Sequence, residues 1–174
     1  MKRQIRQSCF ETNSSSTHAI CIATNSEYVF PDSVDFKFGE FGWEVDKLSS
    51  RSERADYLYT CLAYVGDLEK IKEYLSFISK TLHKHDIDVY FEDFRIEISD
   101  YDGEIHTWIS PKEYCYVDHG SEALDFVNAV CTDEWLLLDY LFSNDSFILT
   151  GNDNSDIDTV INVDYPHEEF YKGN

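Results

Sequence analysis

The chain has 174 residues, of which 43% are hydrophobic and 16% aromatic, and its 34 acidic residues against 14 lysines and arginines give a formal net charge of −20. This many apolar and aromatic side chains can form a core, so we expect one folded domain over residues 1–174 and exclude a disordered acidic tail. The negative charge makes direct nucleic-acid or membrane binding unexpected and favours a basic protein partner.

The most distinctive segment lies near the N-terminus, at residues 10–18, and reads Phe-Glu-Thr-Asn-Ser-Ser-Ser-Thr-His. Short hydroxyl and amide side chains bond readily to nearby backbone groups, which favours a turn over a helix. We therefore predict a structured turn between two N-terminal strands, the second at residues 19–23. This signature loop contains Glu11, Asn13, Ser14, Ser15, Ser16, Thr17 and His18.

The same loop has a catalytic interpretation. One hydroxyl among residues 14–17 would be the nucleophile, His18 its base, and Glu11 or Asn13 the group that orients the base. Such an enzyme would modify a host protein or nucleotide. Adjacency in sequence does not place these groups within hydrogen-bond reach of one another, so a purely structural turn remains the alternative.

The first 20 or so residues also carry a resemblance. A short basic segment at residues 2–7 followed by this signature resembles the opening of small proteins encoded by phages and phage-like elements of gut Firmicutes. The resemblance implies a mobile-element origin. Some proteins of that setting are anti-CRISPR inhibitors of Cas9, which implies a CRISPR effector as partner and the host cytoplasm as location.

The next segments are predicted to be extended. Residues 27–31 have the pattern of a short strand that ends at proline, and residues 32–43 form an aromatic segment. The aromatic residues of this segment are Phe36, Phe38, Phe41 and Trp43. Their spacing fits an extended segment that lies across the core. The alternative is an exposed aromatic anchor for a partner.

Two helices should follow. Residues 50–53 read Ser-Arg-Ser-Glu, a capping-box pattern, and apolar residues then recur at helical spacing up to Gly66. Asp67 is placed to cap a second helix that runs to about residue 82. The Gly66-Asp67 pair between them predicts a helical hairpin or a sharp kink.

From residue 86 the apolar period changes to two. Residues 87–91, 94–98 and 105–110 alternate apolar and polar side chains, and residues 101–104 contain an Asp-Gly turn. This pattern predicts a three-stranded antiparallel meander with one face in water.

The last third is predicted to contain two helices, at about residues 120–130 and 133–142, and then a closing hairpin of residues 147–150 and 157–163. The expected fold is an α+β domain in which an antiparallel sheet packs against about four helices. In this sheet the meander joins the N- and C-terminal strands.

Metal and redox chemistry find little support in the sequence. The five cysteines contain no C-x-x-C pair, and the histidines lack the spacing of zinc modules, so we expect reduced thiols and no cofactor or metal. Residues 152–158 have a calcium-loop composition but lack the glycine and the final glutamate of an EF-hand. No apolar stretch follows the basic N-terminus, so we expect no secretory signal.

Charge patterning carries the main functional hypothesis. Between Glu113 and Tyr171 there is no lysine or arginine. Acids of this region could occupy a Lys/Arg groove that otherwise holds DNA, although an acidic surface kept for solubility is the alternative. The predicted partner-binding residues are Asp133, Glu134, Asp139, Asp145, Asp153, Asp156, Asp158, Asp164, Glu168 and Glu169.

The few basic residues weigh against this hypothesis only weakly. Lys2, Arg3 and Arg6 open the chain, and Arg51 and Arg54 begin the first predicted helix. They could contact phosphate or neutralise part of the acidic surface. Five bases among 34 acids make a poor nucleic-acid footprint, so the second interpretation is favoured.

Overall fold

The computed structural model describes residues 16–24, 28–42, 46–101, 103–111, 114–118, 120–152 and 169–172. Within these residues the helices are α1 (Arg51–Cys61), α2 (Leu68–His83), α3 (Leu124–Val130) and α4 (Glu134–Phe142), with short 3₁₀ turns at Leu62–Tyr64 and Gly120–Ala123. The strands are β1 (Ser16–Cys21), β2 (Ser33–Phe36), β3 (Glu40–Phe41), β4 (Asp46–Leu48), β5 (Asp88–Phe91), β6 (Arg95–Tyr101), β7 (Glu104–Ser110), β8 (Tyr116–Val117), β9 (Phe147–Asn152) and β10 (Glu169–Lys172). The predicted α+β class with four helices is confirmed.

One antiparallel sheet joins the two ends of the chain. Its strand order is β10-β1-β9-β4, so β1 lies between two strands from the C-terminal region. Ile20 of β1 is opposite Ile148 of β9, and both are buried. The prediction that residues 147–150 form a strand is confirmed, and its partners among the described residues are β1 and β4. The predicted partner at residues 157–163 lies outside the described residues.

The predicted meander is wrong in one pairing and in its predicted sheet, because β6 and β7 form a two-stranded sheet separate from the β10-β1-β9-β4 sheet. β6 and β7 form the expected hairpin, closed by Gly103 with φ +80°, but β5 pairs in parallel with β2 instead of with β6. That pairing places Phe91 beside Phe36, with ring centroids 5.2 Å apart, and so covers apolar surface on both strands. Alternation identifies the apolar face of a strand but does not specify its neighbour.

The strand predicted at residues 27–31 is also wrong for its described part, since residues 28–32 form no strand. Tyr28 and Phe30 serve instead as anchors: the Tyr28 hydroxyl donates to Asp139, and the Phe30 ring packs edge-on against Phe142 of α4. The chain becomes extended only at β2. As predicted for the aromatic segment, Phe36 and Phe38 then cross the core, and Trp43 lies outside the described residues.

Helix α1 is the central element of the core. The predicted capping box is present, with the Ser50 hydroxyl accepting from the Glu53 amide and the Glu53 carboxylate accepting from the Ser50 amide. Most of the helix is buried, including Tyr57, Leu58 and Tyr59. The predicted cap of α2 is present as well, because Asp67 accepts from the amides of two first-turn residues.

Arg54 connects α1 to the end of α4. Its buried guanidinium donates to the carbonyls of Leu141 and Ser143 at 2.9 Å each, and also to the carbonyl of Ser146. These carbonyls belong to the last turn of α4 and the loop after it, where helical partners are missing. In return the Tyr140 hydroxyl donates to the Arg54 carbonyl at 2.6 Å. Arg54 is thus a core residue, not the surface base that the sequence indicated.

No helix among the described residues combines the length and the apolar composition that a membrane crossing requires.

Replacing Arg54 should destabilise the fold strongly. Arg54→Met keeps most of the side-chain volume but leaves buried carbonyls without donors, so we expect the free energy of unfolding to fall by about 3–5 kcal/mol. Urea denaturation measures this loss. Arg51→Met is the matched control, because Arg51 only lies over the Phe142 ring at 5.9 Å and should cost about 1 kcal/mol or less. Equal losses in both variants would contradict the assigned role.

The protein should also lose stability in alkali. Burial raises the pKa of Tyr57 and of Tyr140 well above the ordinary tyrosine value. Above about pH 10 the unfolded chain releases these protons while the folded chain retains them, so the free energy of unfolding decreases, by at most about 1.4 kcal/mol per tyrosine and pH unit. Urea denaturation between pH 8 and pH 11 tests this. Tyr140→Phe should show a smaller dependence on pH, and a constant stability up to pH 11 would refute the prediction.

Candidate protein-binding surface

The signature loop lies mostly outside the described residues, which begin at Ser16. Ser16, Thr17 and His18, predicted to lie in the turn, belong to β1, and His18 is completely buried. The His18 Nε2–H donates to the Gly42 carbonyl at 3.3 Å, because a carbonyl can only accept, and Nδ1 then accepts from the Tyr57 hydroxyl at 2.9 Å. These bonds give His18 a role in holding β1 against α1.

The predicted partner-binding acids divide into three groups. Asp133, Glu134, Asp139 and Asp145 have described side chains. Glu169 begins β10, opposite Cys21 of β1. The remaining predicted residues lie outside the described part of the chain, and they are Asp153, Asp156, Asp158, Asp164 and Glu168.

Asp139 does not contribute to a contact surface, because it is buried with only 7% of its area exposed. Its carboxylate accepts from the Tyr28 hydroxyl at 2.7 Å. Burial and this neighbouring carboxylate raise the pKa of Tyr28. Asp139 is flanked by Leu138 and Tyr140 in a helix that is apolar on nearly all sides, a pattern that indicates a buried acid with a partner.

The acids at the two ends of α4 face the solvent. Asp133 caps α4 by accepting from the amides of Trp135 and Leu136 through one carboxylate oxygen, yet it remains exposed. Glu134 is partly exposed and forms an ion pair with Lys84 of α2. Asp145 is exposed in the turn after α4.

An exposed tryptophan adjoins two of these acids. Trp135, in the first turn of α4, has 65% of its area in solvent and directly follows Asp133 and Glu134 in the chain. Asp125 in the first turn of α3 is exposed as well. We call Asp125, Asp133, Glu134, Trp135 and Asp145 the α3–α4 surface. It combines negative charge with an aromatic side chain of the kind enriched at protein interfaces.

The β6–β7 hairpin presents a second exposed surface. Ile96 is 50% exposed, Ile98 71% and Ile105 75%, although their alternation with polar residues predicted a face turned to the core. Ile109, opposite Ile96, is buried. The hairpin therefore contacts the body of the protein near Ile109 and extends beyond the core, which no pattern within the strands themselves could reveal.

The other chemical candidates do not converge on a site. Among the described residues no group of three or more His, Cys, Asp or Glu side chains could hold a metal ion. Cys21, Cys61 and Cys131 are buried and form no disulfide within the described part of the chain. His83 bonds the Ser79 carbonyl of its own helix, and His85 packs against the Phe30 ring. A cleft of about 390 Å³ beside the start of α1 is lined by side chains of both charges.

His18 can be tested as a structural residue. His18→Ala removes a buried ring together with the acceptor of the Tyr57 hydroxyl, so the free energy of unfolding should fall by about 2–4 kcal/mol. Urea denaturation of the purified variant measures this. A variant with unchanged stability would return His18 to the list of candidate catalytic groups.

Comparison with protein-family models, with curated proteins and with solved structures finds no match to this chain.

Proposed function

We propose that this protein is a non-enzymatic inhibitor that binds a basic, nucleic-acid-binding protein of the host through exposed carboxylates. The observation that carries the proposal is the α3–α4 surface, in a region without lysine or arginine from Glu113 to Tyr171. Asp125, Asp133 and Asp145 of this region are exposed. Carboxylates on rigid helices can occupy positions that phosphates take in a Lys/Arg groove.

Charge compensation on this surface is limited. Lys84, the residue after α2, pairs with Glu134, and the chain contains no lysine or arginine between Lys112 and Lys172. An uncompensated surface of this kind attracts a basic partner over about one Debye length, ~8–10 Å at physiological salt. The support for recognition is the long run of sequence whose carboxylates have no lysine or arginine nearby in the chain.

Trp135 strengthens the proposal. Tryptophan is among the residues that dominate binding energy at protein interfaces, whereas solvated surfaces seldom expose it. Its ring can stack on an arginine of the partner, a contact that does not require a phosphate. An acidic surface with an exposed aromatic anchor therefore fits a basic protein groove better than it fits a solvating surface.

For the identity of the partner we propose a CRISPR effector such as Cas9, acting in the host cytoplasm. Support comes from the resemblance of the first 20 or so residues to phage-encoded proteins. An effector of this type holds its guide–target duplex in a positively charged channel. Carboxylates placed in that channel would impede DNA binding.

The enzymatic alternative gains no support from the described residues. It needs His18 as a base at a solvent-accessible site, and His18 is buried with both ring nitrogens bonded to protein groups.

The proposal is tested by neutralising the surface charge. In the triple variant Asp125→Asn, Asp133→Asn and Asp145→Asn the helix cap is retained, because asparagine caps as well as aspartate. Affinity for Cas9, with and without guide RNA, should fall roughly 3- to 100-fold and should decrease with added salt. Isothermal titration or interferometry across a salt series measures both effects.

The matched control changes as many charges elsewhere. Asp46→Asn, Glu69→Gln and Glu73→Gln alter exposed acids of β4 and α2 and give the same net charge. This control should keep most of the affinity. An equal loss of affinity in both triple variants would show a general effect of net charge and not a specific surface. Binding that does not depend on salt, or no binding to Cas9, would contradict the proposal.

A further inference from the structure

We propose that the outer edge of β6 binds an extended segment of the partner as an added antiparallel strand, in which lysines or arginines alternate with apolar residues. The inference deepens the proposed function and rests on it for the identity of the partner. Three independent features of the β6–β7 hairpin carry it: an open backbone edge, an apolar stripe and an excess of negative charge.

The open edge follows from the hydrogen-bond pattern. The Thr107 amide donates to the Gly66 carbonyl, outside the hairpin, so the backbone groups of Thr107 point away from β6. Thr107 is opposite Ile98, so these two residues form a pair without mutual hydrogen bonds. Bonded and non-bonded pairs alternate along an antiparallel ladder, so the backbone groups of Ile96 and Asp100 point in the same direction as those of Ile98. Their N–H and C=O groups point to the outer side of β6, where no strand of the described residues pairs.

The apolar stripe lies along the same strand. Ile96 and Ile98 project from one face of β6, and Ile105 is diagonal to Ile98 on β7, because Ile98 is opposite Thr107. Half or more of each isoleucine is in solvent. An added strand would place its apolar side chains on this stripe. Exposed apolar residues on an unpaired edge strand favour this kind of strand addition, and the charges of β6 restrict it to a segment of opposite charge.

The negative charge of the β6–β7 hairpin indicates which kind of segment can bind at the β6 edge. Residues 92–104 contain Glu92, Asp93, Glu97, Asp100, Asp102 and Glu104 but only one base, Arg95. A second copy of the chain would bring an equally acidic edge against this one, and the chain's own residues 153–168 are acidic without a lysine or arginine. Both occupants meet like-charge repulsion. A segment with alternating lysines or arginines brings the opposite charge to the same edge.

The test uses two short peptides of equal charge. The first is an acetylated, amidated Lys-Val-Lys-Val-Lys-Val-Lys, and the second has proline in place of the central valine. Proline cannot donate a strand hydrogen bond. We expect the first peptide to bind roughly 10-fold more tightly. On its addition, hydrogen exchange at the Ile96, Ile98 and Asp100 amides should slow.

Variants assign the binding to the stripe. The double variant Ile98→Thr and Ile105→Thr keeps a high strand propensity but removes exposed apolar surface, and it should weaken the first peptide roughly 10-fold. Val29→Thr is the control, because Val29 is an exposed apolar residue outside the hairpin. Equal affinity for the two peptides, or an unaffected double variant, would overturn the proposal.

Two further results would overturn it in favour of the other occupants. Slow exchange at the Ile96, Ile98 and Asp100 amides in the free monomer would show that the chain covers its own edge. Dimerisation in analytical ultracentrifugation that the double variant abolishes would show that a second copy does.

Cas9 binding separates the two proposals. If the α3–α4 triple variant loses affinity for Cas9 while the hairpin double variant keeps it, the inference fails and the proposed function remains. If the alternating peptide binds the β6 edge but the wild-type protein does not bind Cas9, the partner in the proposed function is wrong and the inference stands.

Discussion

The buried guanidinium of Arg54 is the interaction on which the arrangement of the helices depends. A helix that ends inside a protein leaves carbonyl groups without partners, and an unbonded carbonyl in an apolar environment costs about 1–3 kcal/mol. Arg54 supplies donors to three such carbonyls from the neighbouring helix, and its positive charge lies at the negative end of the α4 dipole. Burial lowers the Arg54 pKa, yet guanidinium remains charged throughout the ordinary pH range.

Fixing the end of α4 also determines what the helix presents to solvent. With Leu141 and Phe142 held in the core and Asp139 bonded to Tyr28, the C-terminal half of α4 is committed to the interior. Its first turn carries Asp133, Glu134 and Trp135, which extend from the opposite end of the helix. The same nine residues thus contain a buried acid in the C-terminal half and an exposed tryptophan in the first turn.

Sequence patterns predicted the local structure well and the long-range pairing less well. The Ser50–Glu53 capping box, the Asp67 cap and the helical spacing identified α1 and α2, because these signals act between residues a few positions apart. The parallel pairing of β5 with β2 depends on the fit of Phe36 against Phe91, which are 55 positions apart, and alternation does not encode it. Arg54 and Asp139 were assigned to the surface since charged residues usually lie there, and their buried partners come from distant segments.

The isoleucines of the β6–β7 hairpin and the acids around them have opposite effects on solubility. An open apolar edge favours self-association, whereas like charges along that edge oppose it. The same combination leaves a basic strand as the occupant that gains from both features, because it covers the isoleucines and neutralises the carboxylates. A channel that holds nucleic acid is lined with lysine and arginine, so a partner of that class has the composition this edge would accept. The hairpin and the α3–α4 surface thus select for the same chemistry by different means, one through backbone pairing and the other through side-chain charge.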